Sequence, residues 1–484
     1  MLLKTECGRL LRLPCVAALL AVPVLLGACS RSDARHEDTS ASQASASPKS
    51  AAACTGDNAG LKLPAGFCAT IFADTIGHSR HLVVAPNGVV YVNTWSGAYF
   101  QTPAHQGGFL VALRDTNNDG RADVIVRFGR NAPADSAQPK TNGGPSTKGP
   151  GSEKSGAGGT GIALYNGYIY AEEGPTIVRY KMRADSLSPE PTAEVVVSGL
   201  PLSGDHPMHP IAIDAQGNLY MDVGSATNSC QLKNRVKGSP GRRPCTELES
   251  RGGIWRYDAN KLNQQFSPAG RYATGIRNAV GIAFAPDGQL YSTQHGRDQL
   301  AENWSNLYTA EQGQNLPAEE LLQIKQGGDY GWPFCYFDNK QARLVLAPEY
   351  GGAGGKTVGE CASKIAPVAF FPAHWAPDDL MFYSGTSFPQ QYRGGAFIAF
   401  HGSWNRAPGP QGGYQVAFVP FTGGKPASQN QFETFADGFA EGKMQPDAAA
   451  HRPAGLAQGP DGSIYVADDK GGRVWRITYV GGNR

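Results

Sequence analysis

The chain has 484 residues, 62 of them Gly and 34 Pro, a richness in turn formers without a collagen period that points to many turns rather than many helices. Formal net charge is +2, so no basic excess marks a nucleic-acid partner. Length alone leaves the domain count open, because all-β units often run long.

At the start, Lys4, Arg9 and Arg12 precede an apolar run from Val16 to Leu26, too short to span a bilayer comfortably, and small residues then lead to Cys29. Residues 1–29 read as a secretory signal. The ending Leu26-Gly27-Ala28-Cys29 resembles a bacterial lipobox, which implies export, lipidation of Cys29 and a lipid anchor in the periplasm or at the outer membrane. Residues 30–53, rich in Ser, Ala and charge with no apolar period, read as a disordered tether to a domain over 54–484. Beyond the leader, Cys54, Cys68, Cys230, Cys245, Cys335 and Cys361 make an even set in an exported chain, as disulfides require. Many pairings are open; the grouping along the chain favours 54 with 68, 230 with 245 and 335 with 361. No C-x2-C spacing supports zinc.

From Cys54 onward one phrase returns: an apolar doublet, a short turn of Pro, Asp, Asn or Gly, then an aliphatic residue and Tyr. It occurs as LVVAPNGVVYV from Leu82, IALYNGYIYA from Ile162, IAIDAQGNLYM from Ile211, IAFAPDGQLYS from Ile282 and LAQGPDGSIYV from Leu456, with a looser copy in Met381 to Phe400. Apolar alternation around such a turn is a β-hairpin, and its recurrence marks a repeat architecture. Six copies predict an all-β, six-bladed β-propeller, a ring that leaves only short edges. Closure logic places Phe67 to Ala73 and Arg473 to Tyr479 in one blade. A β-sandwich does not explain why the hairpin recurs to the C-terminus.

Between Asp115 and Asp123, carboxylates stand at loop positions 1, 5 and 9 with Gly120 at 6, the spacing of a calcium loop, but position 12 is Val126 rather than Glu. Asp115, Asn117, Asp119 and Asp123 are therefore a second candidate metal site, and a plain hairpin loop explains them equally. Residues 131–160, dense in Gly, Pro, Ser and Lys, read as a flexible insertion. Asn306 to Gln323 holds the best helical candidate, with Pro317-Ala318-Glu319-Glu320 opening a short turn. Tyr330, Trp332, Phe334 and Tyr336 alternate, as a sugar-lining set or a core strand would.

Chemistry gathers beside the hairpins. Arg277-Asn278 precedes the strand from Ile282, His295-Gly296-Arg297-Asp298 follows its partner strand, and His206 and His209 precede the strand from Ile211. Histidine is the usual general base near neutral pH, although loop histidines alone more often mean a surface turn.

The phrases GIRNAVGIAF, HGRD, GGDYGWPFCY, HGSWNR and GDH, in this order of use around the hairpins, resemble the pyrroloquinoline-quinone (PQQ)-dependent soluble aldose (glucose) dehydrogenases and the L-sorbosone-dehydrogenase-like group, over about Leu63 to Tyr479. The resemblance implies a six-bladed propeller that oxidises the hydroxyl of an aldose, or a hydrated aldehyde, using PQQ and Ca²⁺. It implies His206 as base, Arg277, Asn278, His295 and Arg452 at the cofactor, and the backbone carbonyls of Gly296 and Arg297 at calcium. The companion of Arg452 is Ala454 here, which leaves Arg406 or Arg473 to supply the missing charge. His209 remains an alternative base. Arginines and an oxygen-bound cation suit a flat tricarboxylate. Expected partners are a sugar or aldehyde, an electron acceptor of unspecified identity and, through the anchor only, a membrane. A lactonase-like calcium hydrolase and a non-catalytic binding propeller are the competing readings, since a fold does not fix a function.

Overall fold

The recurring hairpin closes into a ring. The computed structural model describes residues 54, 56–95, 106–129, 158–406 and 409–481, so the signal, Cys29, the tether and nearly all of the 131–160 insertion lie outside the described residues. Six antiparallel blades are present, and the first strand of each is one arm of a predicted hairpin: Ser79–Val84, Ile162–Tyr165, Ile211–Ile213, Ile282–Phe284, Pro377–Phe382 and Pro453–Gln458. These six inner strands lie side by side around the ring. Four of the six turns that follow are built alike: Ala85 N–H bonds the Val89 carbonyl at 2.8 Å, Asp214 N–H that of Asn218 at 3.0 Å, Ala285 N–H that of Gln289 at 2.9 Å and Gly459 N–H that of Ser463 at 2.8 Å. Gly88, Gly217, Gly288 and Gly462 take φ of 83°, 84°, 81° and 82°, a left-handed conformation that glycine enters without cost.

Ring closure follows the expected route. The N-terminal strand Phe67–Ala73 pairs with the C-terminal strand Val474–Tyr479, with Phe67 opposite Tyr479 and Ala69 opposite Ile477. Phe67 then packs into a ring cluster with Phe388, Tyr392 and Phe435 at centroid distances of 4.7, 5.4 and 5.0 Å, which joins the closing blade to its neighbour. Burying a side chain of this size contributes about 1.5–3 kcal/mol, so the latch holds well.

All three favoured disulfides form. The Cys335–Cys361 bridge closes a sequence separation of 26 residues. Replacing both cysteines by Ala is expected to lower unfolding free energy by about 3 kcal/mol, measured by denaturant titration of the oxidised proteins.

The helical expectation is half corrected. Ala310–Asn315 is a helix, capped by Thr309 and Gln312 in a capping box. Glu319–Gln323, however, is the third strand of a blade, so Pro317-Ala318-Glu319-Glu320 opens no helical turn. Its side chains are buried on both faces, which removes the apolar alternation that would have marked a strand. Tyr330, Trp332 and Tyr336 are buried in core clusters, and Trp332 and Tyr336 also line a small cavity with Arg277, His295 and Gly296. Cys335–Asp338 forms a small ribbon with Arg343–Leu346.

The Asp115–Asp123 segment is a hairpin loop between Leu110–Arg114 and Val124–Phe128. Asp115 accepts the N–H groups of Asp119 and Gly120, Asp119 accepts that of Arg121, and Asp123 accepts the N–H and hydroxyl of Thr116. The loop carboxylates thus serve the loop's own backbone.

Candidate functional site

In every blade the inner strand begins, and its antiparallel partner ends, at the same rim of the ring. Residues just before one or just after the other must therefore meet there, which is where the sequence places its polar clusters. The rim is tied across blades by side chains. Asn93 donates to the carbonyls of Gly161 and Glu172 at 2.8 and 3.1 Å, and Thr293 donates to the Pro377 carbonyl at 2.8 Å. Glu172 accepts the backbone N–H of His209 at 3.1 Å.

His206 lies buried beside Ser225. Its Nδ1 is 2.9 Å from the Ser225 carbonyl, which can only accept, so Nδ1 carries the proton and Nε2 keeps a lone pair. Burial, then the charges of Arg277 and Arg235, holds this imidazole well below the ordinary value of 6.5. The result is a neutral histidine with an acceptor nitrogen.

Next to it stands Asn278, whose Oδ1 is buried without a protein partner. Gly224 lets the two approach: a Cβ there would lie 2.7 Å from His206 Cβ and 3.3 Å from Asn278 Oδ1. The His295 N–H bonds the Asn278 carbonyl at 3.0 Å, which ties this wall to the following strand end.

Arg277 is buried and structural in its contacts. It donates to the carbonyls of Asn228 and Gly296 at 3.0 Å each, and to Asp298 at 3.0 Å. Asp298 also takes Arg235 at 3.0 Å and the Asn405 amide. Burial alone would raise this carboxyl, but Arg277 and Arg235 outweigh it and hold Asp298 below the usual carboxylate range. Glu319 accepts the Gly296 N–H at 2.8 Å, fixing the His295–Arg297 turn from the other side. The Arg297 side chain turns away to Glu349, leaving only its backbone for any ligand at the rim.

Across the mouth, a second group is centred on Arg80. Its Nη1 reaches Asp378 at 3.0 Å and Asp469 at 2.6 Å. His295 Nε2 lies 3.2 Å from Asp378, and His401 Nε2 lies 2.7 Å from Asp469. Burial pulls His295 down but the Asp378 carboxylate dominates and raises it. Ligand atoms of Asp378, His401 and Asp469 all fall within 4.8 Å of one another, the one such metal-capable group among the described residues. The Arg80 guanidinium bridges both aspartates there and offsets one of their two charges. Arg452 completes this side, donating to the His401 and Gly402 carbonyls at 3.0 and 2.6 Å.

A continuous chain of contacts therefore runs His206–Ser225–Arg277–Asn278–His295–Asp378–Arg80–Asp469–His401–Arg452, with the Ser225 N–H on the Arg277 carbonyl at 2.8 Å. His206, Arg277, Asn278, His295, Gly296 and Arg452 share one rim. Two residues do not join it. Arg406 donates to Ala373 and Pro410 carbonyls and to Asn315, and Arg473 is bonded to Asp74 at 2.7 Å. His209 is buried with Nδ1 on Glu172 at 2.8 Å, a tie between blades. Arg80, Arg235, Asp378 and Asp469 are the charged rim residues that the sequence did not single out. Asp378 lies in the inner strand of the loosest hairpin copy, and Arg80 in that of the first.

A TrAA12-like family model matches residues 152–480. A pyrroloquinoline quinone-dependent pyranose dehydrogenase of Coprinopsis cinerea is 28% identical over 43% of this chain and 31% of its own length. A pyrroloquinoline quinone-dependent sugar dehydrogenase of Hypocrea jecorina is 24% identical over 66% of this chain and 73% of its own. An uncharacterised Borreliella burgdorferi protein is 30% identical over 43% of this chain and 48% of its own. The chain thus spans about half or less of two of these curated relatives. Among solved structures, the Trichoderma reesei AA12 enzyme superposes with a TM-score of 0.65 at 20% identity, covering 87% of this chain and 98% of that one. The holo PQQ domain of Coprinopsis cinerea pyranose dehydrogenase gives 0.64 at 20% identity, over 86% and 97%. These neighbours share the six-bladed propeller. The model match extends over most of the ring, and the chain belongs to the TrAA12-like family.

Proposed function

We propose that this chain is a PQQ-dependent oxidoreductase that oxidises a sugar at the rim built around His206 and Arg452. The observation that carries the reading is the pairing of a neutral His206, its Nε2 lone pair free of backbone bonds, with the orphaned Oδ1 of Asn278 beside it. A buried amide oxygen without a donor is costly unless a ligand supplies one. The donor set fits PQQ: Arg452 brings positive charge for a carboxylate, and Asn278 accepts from a ring N–H. The quinone, when bound, accepts the hydride.

The chain's own part is positional and acid–base. His206 Nε2 takes the proton of the sugar hydroxyl, and the Ser225 carbonyl keeps the ring oriented by holding Nδ1–H. Burial of His206, then the charges of Arg277 and Arg235, opposes its protonation, so the base is neutral at physiological pH. The acidic limb of kcat/KM against pH is therefore expected below 6.5, the ordinary histidine value; a limb above it would contradict this assignment. A calcium ion would use the carbonyls of Gly296 and Arg297. Gly296 O already accepts from Arg277, and its second lone pair is the one available to an ion.

His209, in contrast, is read as structural. His209→Ala is expected to lower the melting temperature by several degrees by removing the Glu172 tie, while the pH profile stays where it was. Adding PQQ with Ca²⁺ to cofactor-free protein should raise Tm and give dye reduction with aldoses. No thermal shift at saturating cofactor would favour the binding-propeller reading.

A further inference from the structure

Arg406, expected at the cofactor, faces a different cavity. A cleft of about 240 Å³ is lined by Asn315, Asn339, Phe370, Arg406, Asn430 and Phe432. Its size falls just below the range of about 300–1,000 Å³ common to drug-sized sites, which limits it to a small ligand.

Its chemistry is specific. Arg406 donates Nε to the Pro410 carbonyl at 3.3 Å, Nη1 to the Ala373 carbonyl at 3.2 Å and Nη2 to Asn315 Oδ1 at 3.3 Å, which fixes the guanidinium plane. Two of an arginine's five N–H donors remain. Among the described residues no carboxylate lines the cleft, so none of them supplies this cation with a counter-charge there. Asn339 Oδ1 is buried without a protein partner. The aromatic walls are rigid: Phe432 packs on Phe371 and Trp375 at 5.5 and 5.8 Å, and Phe370 on Phe337 at 5.2 Å.

Planar amides and ring faces together recognise hydroxyls and C–H faces of a sugar, and a fixed guanidinium pairs best with a carboxylate. We infer that this cleft binds a saccharide bearing a carboxylate, a uronate or related sugar acid, at a site separate from the channel rim. The unpaired Asn339 oxygen accepts a sugar hydroxyl, and Arg406 takes the carboxylate. This inference stands on the cleft alone and does not need the oxidoreductase reading.

The test is equilibrium titration of the full, cofactor-free chain with D-glucuronate and, separately, D-glucose. Glucuronate is expected to bind about tenfold more tightly than glucose, with Arg406→Met and Asn339→Leu each weakening it by about tenfold or more. Arg452→Met, at the rim, should leave that affinity unchanged even if it abolishes PQQ binding. Thermal melts check that each variant is folded, and Asn339→Leu carries the test if Arg406→Met is not. Equal affinity for the two sugars, loss in Arg452→Met with no loss in the cleft variants, or no saturable binding of either sugar would overturn the inference.

Discussion

His206→Ala is expected to lower kcat by about 10²- to 10⁴-fold, the usual contribution of a positioned general base. The side chain is neutral because burial and two arginines disfavour its charged form, and it is oriented because the Ser225 carbonyl holds Nδ1–H. Affinity for cofactor should change little, since the imidazole contributes a lone pair to the substrate rather than charge to the quinone. Steady-state rates with a sugar, paired with a cofactor titration, separate the two effects. If His206→Ala keeps its turnover and His209→Ala loses it, the base has been misassigned.

Asp298→Asn is expected to destabilise the protein by about 3–5 kcal/mol, the cost of removing one partner from a buried ion pair. Asp298 is the shared counter-ion of Arg277 and Arg235, each at 3.0 Å, and without its charge the buried Arg277 is left unpaired beside Arg235, which keeps Asp205 at 2.9 Å. The same carboxylate also anchors Asn405, so the His401–Arg406 segment loosens with it. Since the folded state depresses this pKa, the stabilisation is fully present above 3.8, the ordinary value, and is lost as pH falls through the lower folded value. Denaturant unfolding of native and variant proteins at neutral pH measures the effect. A difference below about 1 kcal/mol would mean that the arginines find other partners.

The ring was legible because its signal is local and repeated. A turn with glycine at φ near 82° and flanking apolar alternation can be read from each copy by itself, and six copies give the closure. Disulfides were legible for a similar reason, as each joins neighbours along the chain. His206, Asn278, His295 and Arg452 could be placed at one rim because each sits next to such a hairpin. Their partners could not. Arg80 and Asp378 are separated by 298 residues and meet only across the ring, as do Arg235 and Asp298 in different blades. Arg406 misled because its place in the HGSWNR phrase says nothing about which way the side chain leaves the loop. Glu319–Gln323 misled because a strand buried on both faces carries no period of two.

The most direct test is an anaerobic single-turnover experiment: cofactor-free protein is loaded with PQQ and Ca²⁺, mixed with D-glucose or another aldose, and the absorbance of the bound quinone is followed. Stoichiometric binding is predicted, followed by full reduction of the cofactor by sugar in the native protein, slowed by about 10²-fold or more in His206→Ala and weakened at the binding step in Arg452→Met. Failure of PQQ to bind, or binding that no aldose or aldehyde can reduce, would contradict the account.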